Sequence, residues 1–446
     1  IKYFSDAKGN RLSLNEVYEK PQDGINMTLT INMDIQSSLE RELDNAMLKY
    51  NPDQALGIVM DPKSGEILAI SARPNFSPSN YQNYTVEEIN RNLPVWMTYE
   101  PGSTFKIITL SASLEEKIVD LDNDTFFDSG AITVDNATLH CWKHGGHGAQ
   151  TYLQVVENSC NPGFVNLGLK LGKEKLFDYI KKFGFGTKTG VDLNGEGSGI
   201  IFNLDKVGNV ELATTAFGQG VSVTPIQQIT AVSAAINGGY LYKPYIVKSL
   251  NEPETNTIIK QNDKQIVRKV ISEETSEKVR YALESVVSNG TGRPAYIDGY
   301  RVGGKTGTAQ KVKDGRYMVG NYIVSFIGFL PADDPEVIVY IAVDNAKGVT
   351  QYGGTIAAPI AKTVLTDAIT ALHIDKRSGS TEKKYNYNDK KYVDVANVVG
   401  MSKNEAIKAL KSFKVEYTGT GENVTYQSPA AGERILEGET VRLLLE

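Results

Sequence analysis

The sequence predicts an α+β fold, on three observations. Two hairpin-like pairs of apolar runs stand far apart, at residues 56–72 and 321–344. The stretch between them is mostly helical in spacing and rich in loops. An amphipathic segment at residues 356–374 follows the later pair as a closing helix. Early and late strands brought together would form one antiparallel sheet with flanking helices. Taken in order, residues 1–24 are polar and turn-rich, with DAKGN and PQDG, and read as the edge of something removed. A packed body starts at Ile25, where MTLTINM alternates like a strand and Ile35, Leu39, Leu43 and Met47 recur at helical spacing. The first hairpin turns at Asp61-Pro62-Lys63-Ser64-Gly65 and the second at PADDPE. Residues 375–391 are charged, polar and nearly free of aliphatics, which makes them a linker. Residues 392–446 form a small β-α-β-β module whose helix opens on Ser402 with Glu405 three residues later, a capping box.

The 446 residues, 41% hydrophobic and 22% charged, exclude collagen, coiled coil and wholesale disorder. A formal charge of −6 with no Lys/Arg block gives no electrostatic case for nucleic acid. The longest apolar runs, such as Val324 to Leu330, are far below the ~20 residues of a membrane span. The chain begins at Ile1 without a signal segment, and so reads as a truncated or processed piece.

Three motifs carry chemistry. Ser103 and Lys106 open an apolar helix after Glu100-Pro101-Gly102. Positions i and i+3 share a face, so the hydroxyl and the amine can meet. The helix dipole favours an alkoxide-like oxygen at Ser103, and desolvation beside Phe105 would lower the lysine's proton affinity. A serine at a helix start is more often only a cap. Ser159-Cys160-Asn161 follows, placing a hydroxyl and a carboxamide two residues apart. By itself that tripeptide reads as a turn. Then Gly303-Gly304-Lys305-Thr306-Gly307-Thr308 begins a strand, with Lys305 and Gly307 facing one way and a glycine that lets a ligand backbone approach. All three in this order form the SxxK, SxN, KTG set.

On these motifs the chain resembles the class B penicillin-binding proteins, the monofunctional peptidoglycan D,D-transpeptidases, most like those of the division and sporulation type. LTINMDIQSSLE, FGQG with Thr224-Pro225, and QYGGTIAAPI support it, and VVGMSKNEAIKAL with YQSPAAG makes residues 392–446 resemble a PASTA domain. The resemblance implies a penicillin-binding/serine β-lactamase-like transpeptidase domain over residues 25–374, with residues 1–24 the remnant of an N-terminal pedestal domain. It implies that Ser103 attacks the penultimate D-alanine carbonyl of a stem peptide, with Lys106 as base, Ser159 and Lys305 relaying protons and Asn161 orienting the donor amide. Lys305, Thr306, Gly307 and Thr308 would bind the terminal carboxylate, and the backbone N–H groups of Ser103 and Thr308 would form the oxyanion hole. It further implies β-lactam inhibition, a membrane glycosyltransferase partner, and a place outside the cytoplasmic membrane held by an N-terminal helix absent from this sequence. The competing readings are a β-lactamase-type hydrolase, for which no deacylating glutamate is found by motif, and a catalytically silent cell-wall-binding sensor.

Separately, His140, Cys141, His144 and His147 cluster just before Cys160. Thiolate and imidazole on a Gly-flexible loop suit tetrahedral Zn²⁺. Cys141, His144, His147 and Cys160 are the expected ligands of one structural ion, with His140 as substitute. A Cys141–Cys160 disulfide and a simple polar loop are the alternatives.

Overall fold

The computed structural model describes residues 2–8, 10–17, 23–313, 315–379, 381–383 and 390–446. Helix α1 (Met33–Tyr50) starts because Asn32 caps it, its side chain accepting from the N–H groups of Asp34 and Ile35 at 3.1 and 3.2 Å. Strands β1 (Gln54–Met60) and β2 (Ile67–Arg73) form the early hairpin. Between it and the late strands lies a helical region that includes α2 (Lys106–Glu115), α3 (Asn161–Leu171), α4 (Pro225–Ile236) and α5 (Glu273–Asn289). The chain returns as β3 (Gly303–Lys313), β4 (Arg316–Leu330) and β5 (Val337–Asp344), followed by the closing helix α6 (Ala357–Leu372).

The five strands make one antiparallel sheet in the order β3-β4-β5-β1-β2, so the late hairpin does pair with the early one. Every residue of β5 is buried, because both faces of the sheet are covered. Val337, Val339, Ile341 and Val343 pack toward Leu39 and Leu43 of α1 and Val364 and Leu365 of α6. Ile338, Tyr340 and Ala342 face the helical region. That two-sided cover is why β5 reads as an unbroken apolar run.

Two expectations need correction. The strand near Ile25 spans only Asn26–Leu29, and it pairs with Val247–Asn251 in a separate three-stranded sheet. The C-terminal unit has more strands than a β-α-β-β module: Arg434–Leu436 pairs with Tyr392–Asp394, and Lys414–Thr418 runs parallel to Thr440–Leu445. A three-residue strand is too short to show periodicity. Its capping box is present, with Ser402 and Glu405 bonded reciprocally, and Val398, Leu410, Val441 and Leu443 form a core of its own. Parts of the expected pedestal remnant and linker (residues 1, 9, 18–22, 380 and 384–389) lie outside the described residues. No helix among the described residues is long and apolar enough to cross a membrane.

Candidate active site

The turn at Ser103 is built by glycine. Gly102 has φ +55°, and its N–H donates to Gly218 O at 3.0 Å, which sets up the 3₁₀ turn Gly102–Phe105. Ser103 is half-buried at the turn's surface. The chain then runs into α2, whose first nine residues are buried. Lys106 is carried into the core by a helix buried on all sides, leaving the ammonium to find oxygen partners there.

Those partners belong to the second motif rather than to Ser103. Lys106 Nζ donates to Ser159 O at 2.8 Å, Ser159 Oγ at 3.2 Å and Asn161 Oδ1 at 2.7 Å. Lys305 Nζ reaches the same hydroxyl at 2.8 Å and Thr306 O at 3.0 Å. Ser159 is buried with φ +52°, a conformation costly to a residue with a Cβ, and it persists because both lysines and the start of α3 hold the turn. Burial lowers the Lys106 pKa to about 7, against the weaker opposing pull of Cys160 and Cys141. Burial also drives Lys305 well below its ordinary value, and the neighbouring Lys106 adds to this. Two amines sharing one hydroxyl in a dry site cannot both stay protonated, so the site is poised to accept a proton.

The KTG segment lies on β3, at the edge of the sheet. A Cβ on Gly307 would stand 2.3 Å from Ser325 Oγ, 3.1 Å from Thr104 Cγ2 and 3.3 Å from Pro101 O, so its bare α-carbon also admits the turn that carries Ser103. Thr306 and Thr308 point to the other face, where Thr306 Oγ1 bonds Thr291 Oγ1 at 3.1 Å and Thr308 Oγ1 accepts from Gly353 N–H at 3.3 Å. Thr291 carries no sequence signal of this role. Gly353 lies in the QYGG stretch that contributed to the resemblance.

The cysteine cluster forms, with one member changed. Asp128, Cys141, His147 and Cys160 bring their ligand atoms within 4.8 Å of one another. His144 and His140 are exposed and stand outside it. Asp128 takes the fourth place because its strand, Thr125–Asp128, pairs with Gly148–Thr151 and ends beneath the loop. Nothing in the sequence spacing marked it. Burial pushes the Asp128 carboxyl up, but hydrogen bonds from Cys141, His147 and the Gly130 N–H hold it at about 2. The hydrogen bond from Cys160 pulls Cys141 down to about 6, while that same bond and burial push Cys160 up. The two cysteines are unbridged.

The domain that carries these residues has its counterpart in known proteins. The penicillin binding protein transpeptidase domain matches residues 55–366, and the PASTA domain matches residues 393–446. The chain belongs to the penicillin-binding protein transpeptidase family. It is 57% identical over 446 residues to stage V sporulation protein D of Bacillus subtilis, spanning 100% of this chain and 69% of that protein. To the peptidoglycan D,D-transpeptidase FtsI homolog of Mesostigma viride it is 31% identical over 371 residues, covering 78% of this chain and 62% of that one. The solved structure of penicillin-binding protein 3 from Mycobacterium tuberculosis, complexed with ampicillin, superposes with a TM-score of 0.76 at 28% identity, over 86% of this chain and 90% of that one. Acyl transfer in penicillin-binding proteins runs on protein side chains and needs no cofactor.

Proposed function

We propose that the protein is a peptidoglycan D,D-transpeptidase that cross-links stem peptides through an acyl-enzyme on Ser103. The observation that carries this reading is the convergence of Lys106 and Lys305 on Ser159 Oγ, next to the turn that presents Ser103. Lys106 takes the Ser103 proton as the oxygen attacks the penultimate D-alanine carbonyl. The tetrahedral oxyanion rests on the backbone N–H groups of Ser103 and Thr308. When it collapses, the peptide bond breaks and terminal D-alanine leaves with a proton passed through Ser159 and Lys305. Asn161 orients the donor, and Lys305, Thr306 and Thr308 receive the terminal carboxylate. An amine from a second stem peptide then displaces Ser103 and forms the cross-link. The transpeptidase unit is residues 25–374, joined by 375–391 to the PASTA unit 392–446. The 57% identical sporulation protein supports a role in sporulation, and the proposal extends this to spore cortex or division synthesis at the outer face of the membrane, beside a glycosyltransferase. Incubation with benzylpenicillin is expected to add the mass of one drug molecule at Ser103, and Ser103→Ala to abolish it. No adduct would overturn the reading, and rapid turnover of the adduct would indicate a β-lactamase.

One structural Zn²⁺ belongs to this proposal, held by Asp128, Cys141, His147 and Cys160. The donor set of two thiols, an imidazole and a carboxylate fits zinc, and His147 Nδ1 faces the cluster, 2.8 Å from Asp128 Oδ2 and 3.4 Å from Cys141 Sγ. Cys160 sits between Ser159 and Asn161, so the ion would pin the turn that holds Lys106, while taking no part in acyl transfer. Metal analysis of the purified protein is expected to give about one zinc per chain, falling several-fold in Asp128→Ala. Less than about 0.2 equivalents in the wild-type protein would remove the ion.

A further inference from the structure

The loop that carries the cysteine cluster is also tied to the SxN turn by two hydrogen bonds that have nothing to do with metal. Asn161 Nδ2 donates to His140 O at 3.1 Å, and Trp142 Nε1 donates to Asn158 O at 2.8 Å. Asn158 immediately precedes Ser159. The indole is therefore fixed beside the SxN turn by its only polar atom. His147 packs edge-on against it, the ring centroids 5.4 Å apart at 63°. Despite being held at both points, Trp142 remains 51% exposed. A large rigid ring whose N–H is satisfied and whose remaining surface faces water loses little entropy when something settles on it.

We propose that Trp142 is a specificity-determining contact for the acyl donor, receiving the aliphatic side chain of the residue that precedes the D-alanyl-D-alanine end of the stem peptide. The inference rests on the transpeptidase reading above. It commits to the donor peptide because hydrogen bonds tie the loop that carries the ring to Asn158 and to Asn161, the residue assigned to orient that peptide. A donor held by Asn161 and extended away from Ser103 passes along this loop, and a methylene-rich side chain beyond the terminal pair is the group that an indole surface recognises.

The test compares three acylating agents on the full chain. One is a stem depsipeptide ending in D-alanyl-D-lactate, the second is the N-acetylated D-alanyl-D-lactate fragment alone, and the third is benzylpenicillin. In both depsipeptides Ser103 displaces D-lactate, whose release is measured. Trp142→Ala is expected to raise KM for the long donor about fivefold with kcat within about twofold. The short donor and benzylpenicillin should react within about twofold of wild type. Trp142→Phe, which keeps a ring but loses the N–H, should restore most of the long-donor KM. If both variants slow all three agents equally, the ring acts only by holding the Asn158 carbonyl, and the proposal fails. It fails equally if neither variant changes KM for the long donor. Failure of the underlying reading looks different: the wild-type protein would then be acylated by none of the three.

Discussion

Lys106→Met is expected to slow acylation by benzylpenicillin about a thousandfold while the protein stays folded. A positioned general base contributes roughly 10²–10⁴ in rate. Methionine fills much of the same buried space without a charge, and Lys305 still donates to Ser159 Oγ. The pH dependence gives a second reading of the same group. Only the unprotonated amine can take the serine proton, and burial brings the Lys106 pKa down to about 7. The wild-type acylation rate should therefore rise about tenfold per pH unit below that value and level off above it. In Lys106→Met that inflection should vanish. A variant acylated within about tenfold of wild type, or one that keeps the inflection, would remove Lys106 as the base.

The second large effect comes from a residue that touches no substrate. Gly218 has φ +89°, and a Cβ there would stand 2.0 Å from Gly102 O and 2.9 Å from Phe105 Cβ. The first neighbour is backbone, so the strain cannot be relieved by a rotamer change. Gly218→Ala is expected to destabilise the protein by about 3 kcal/mol, about 1 kcal/mol of it from the left-handed backbone and the rest from the clash. Whatever relief occurs must move Gly102 and with it Ser103. A displacement of about 1 Å costs roughly a hundredfold in rate. The matched control is Gly432→Ala, with φ +84° and nothing within 4 Å of the added carbon. It should lower the unfolding temperature slightly and leave acylation unchanged. If Gly218→Ala acylates like wild type, the hydrogen bond to Gly102 does not set the nucleophile's position.

The sequence made the main sheet legible because each hairpin is local and β5 is apolar throughout. It made the convergence of Lys106, Ser159, Asn161 and Lys305 legible because these residues fall in three short motifs of fixed spacing. What it hid depends on chain return. Asp128 joins Cys141 and Cys160 only through strand pairing, with no regular interval in the sequence. The partner of Lys106 followed from local geometry in one respect and not in another. An i, i+3 pair on a helix does share a face, yet a buried ammonium turns to the carbonyl and carboxamide that can solvate it, and these lie 53 and 55 residues away. Gly307 stood out in the sequence, but its close fit against Ser325 and Thr104 did not, since these reach it from other segments.

Because β3 borders the sheet, its outer rim offers main-chain donors and acceptors to whatever extended polypeptide arrives, which is useful for a guest and hazardous between neighbouring copies. The chain answers with an irregular step in pairing between Gln310 and Val312 and with the cation Lys311, bonded to Asp344 at 2.9 Å, at the far end of the accessible stretch. Recognition along such a rim reads backbone and ignores side-chain identity. An extended guest seated along β3 would thus be held by its backbone, and discrimination would have to come from groups standing beside the strand.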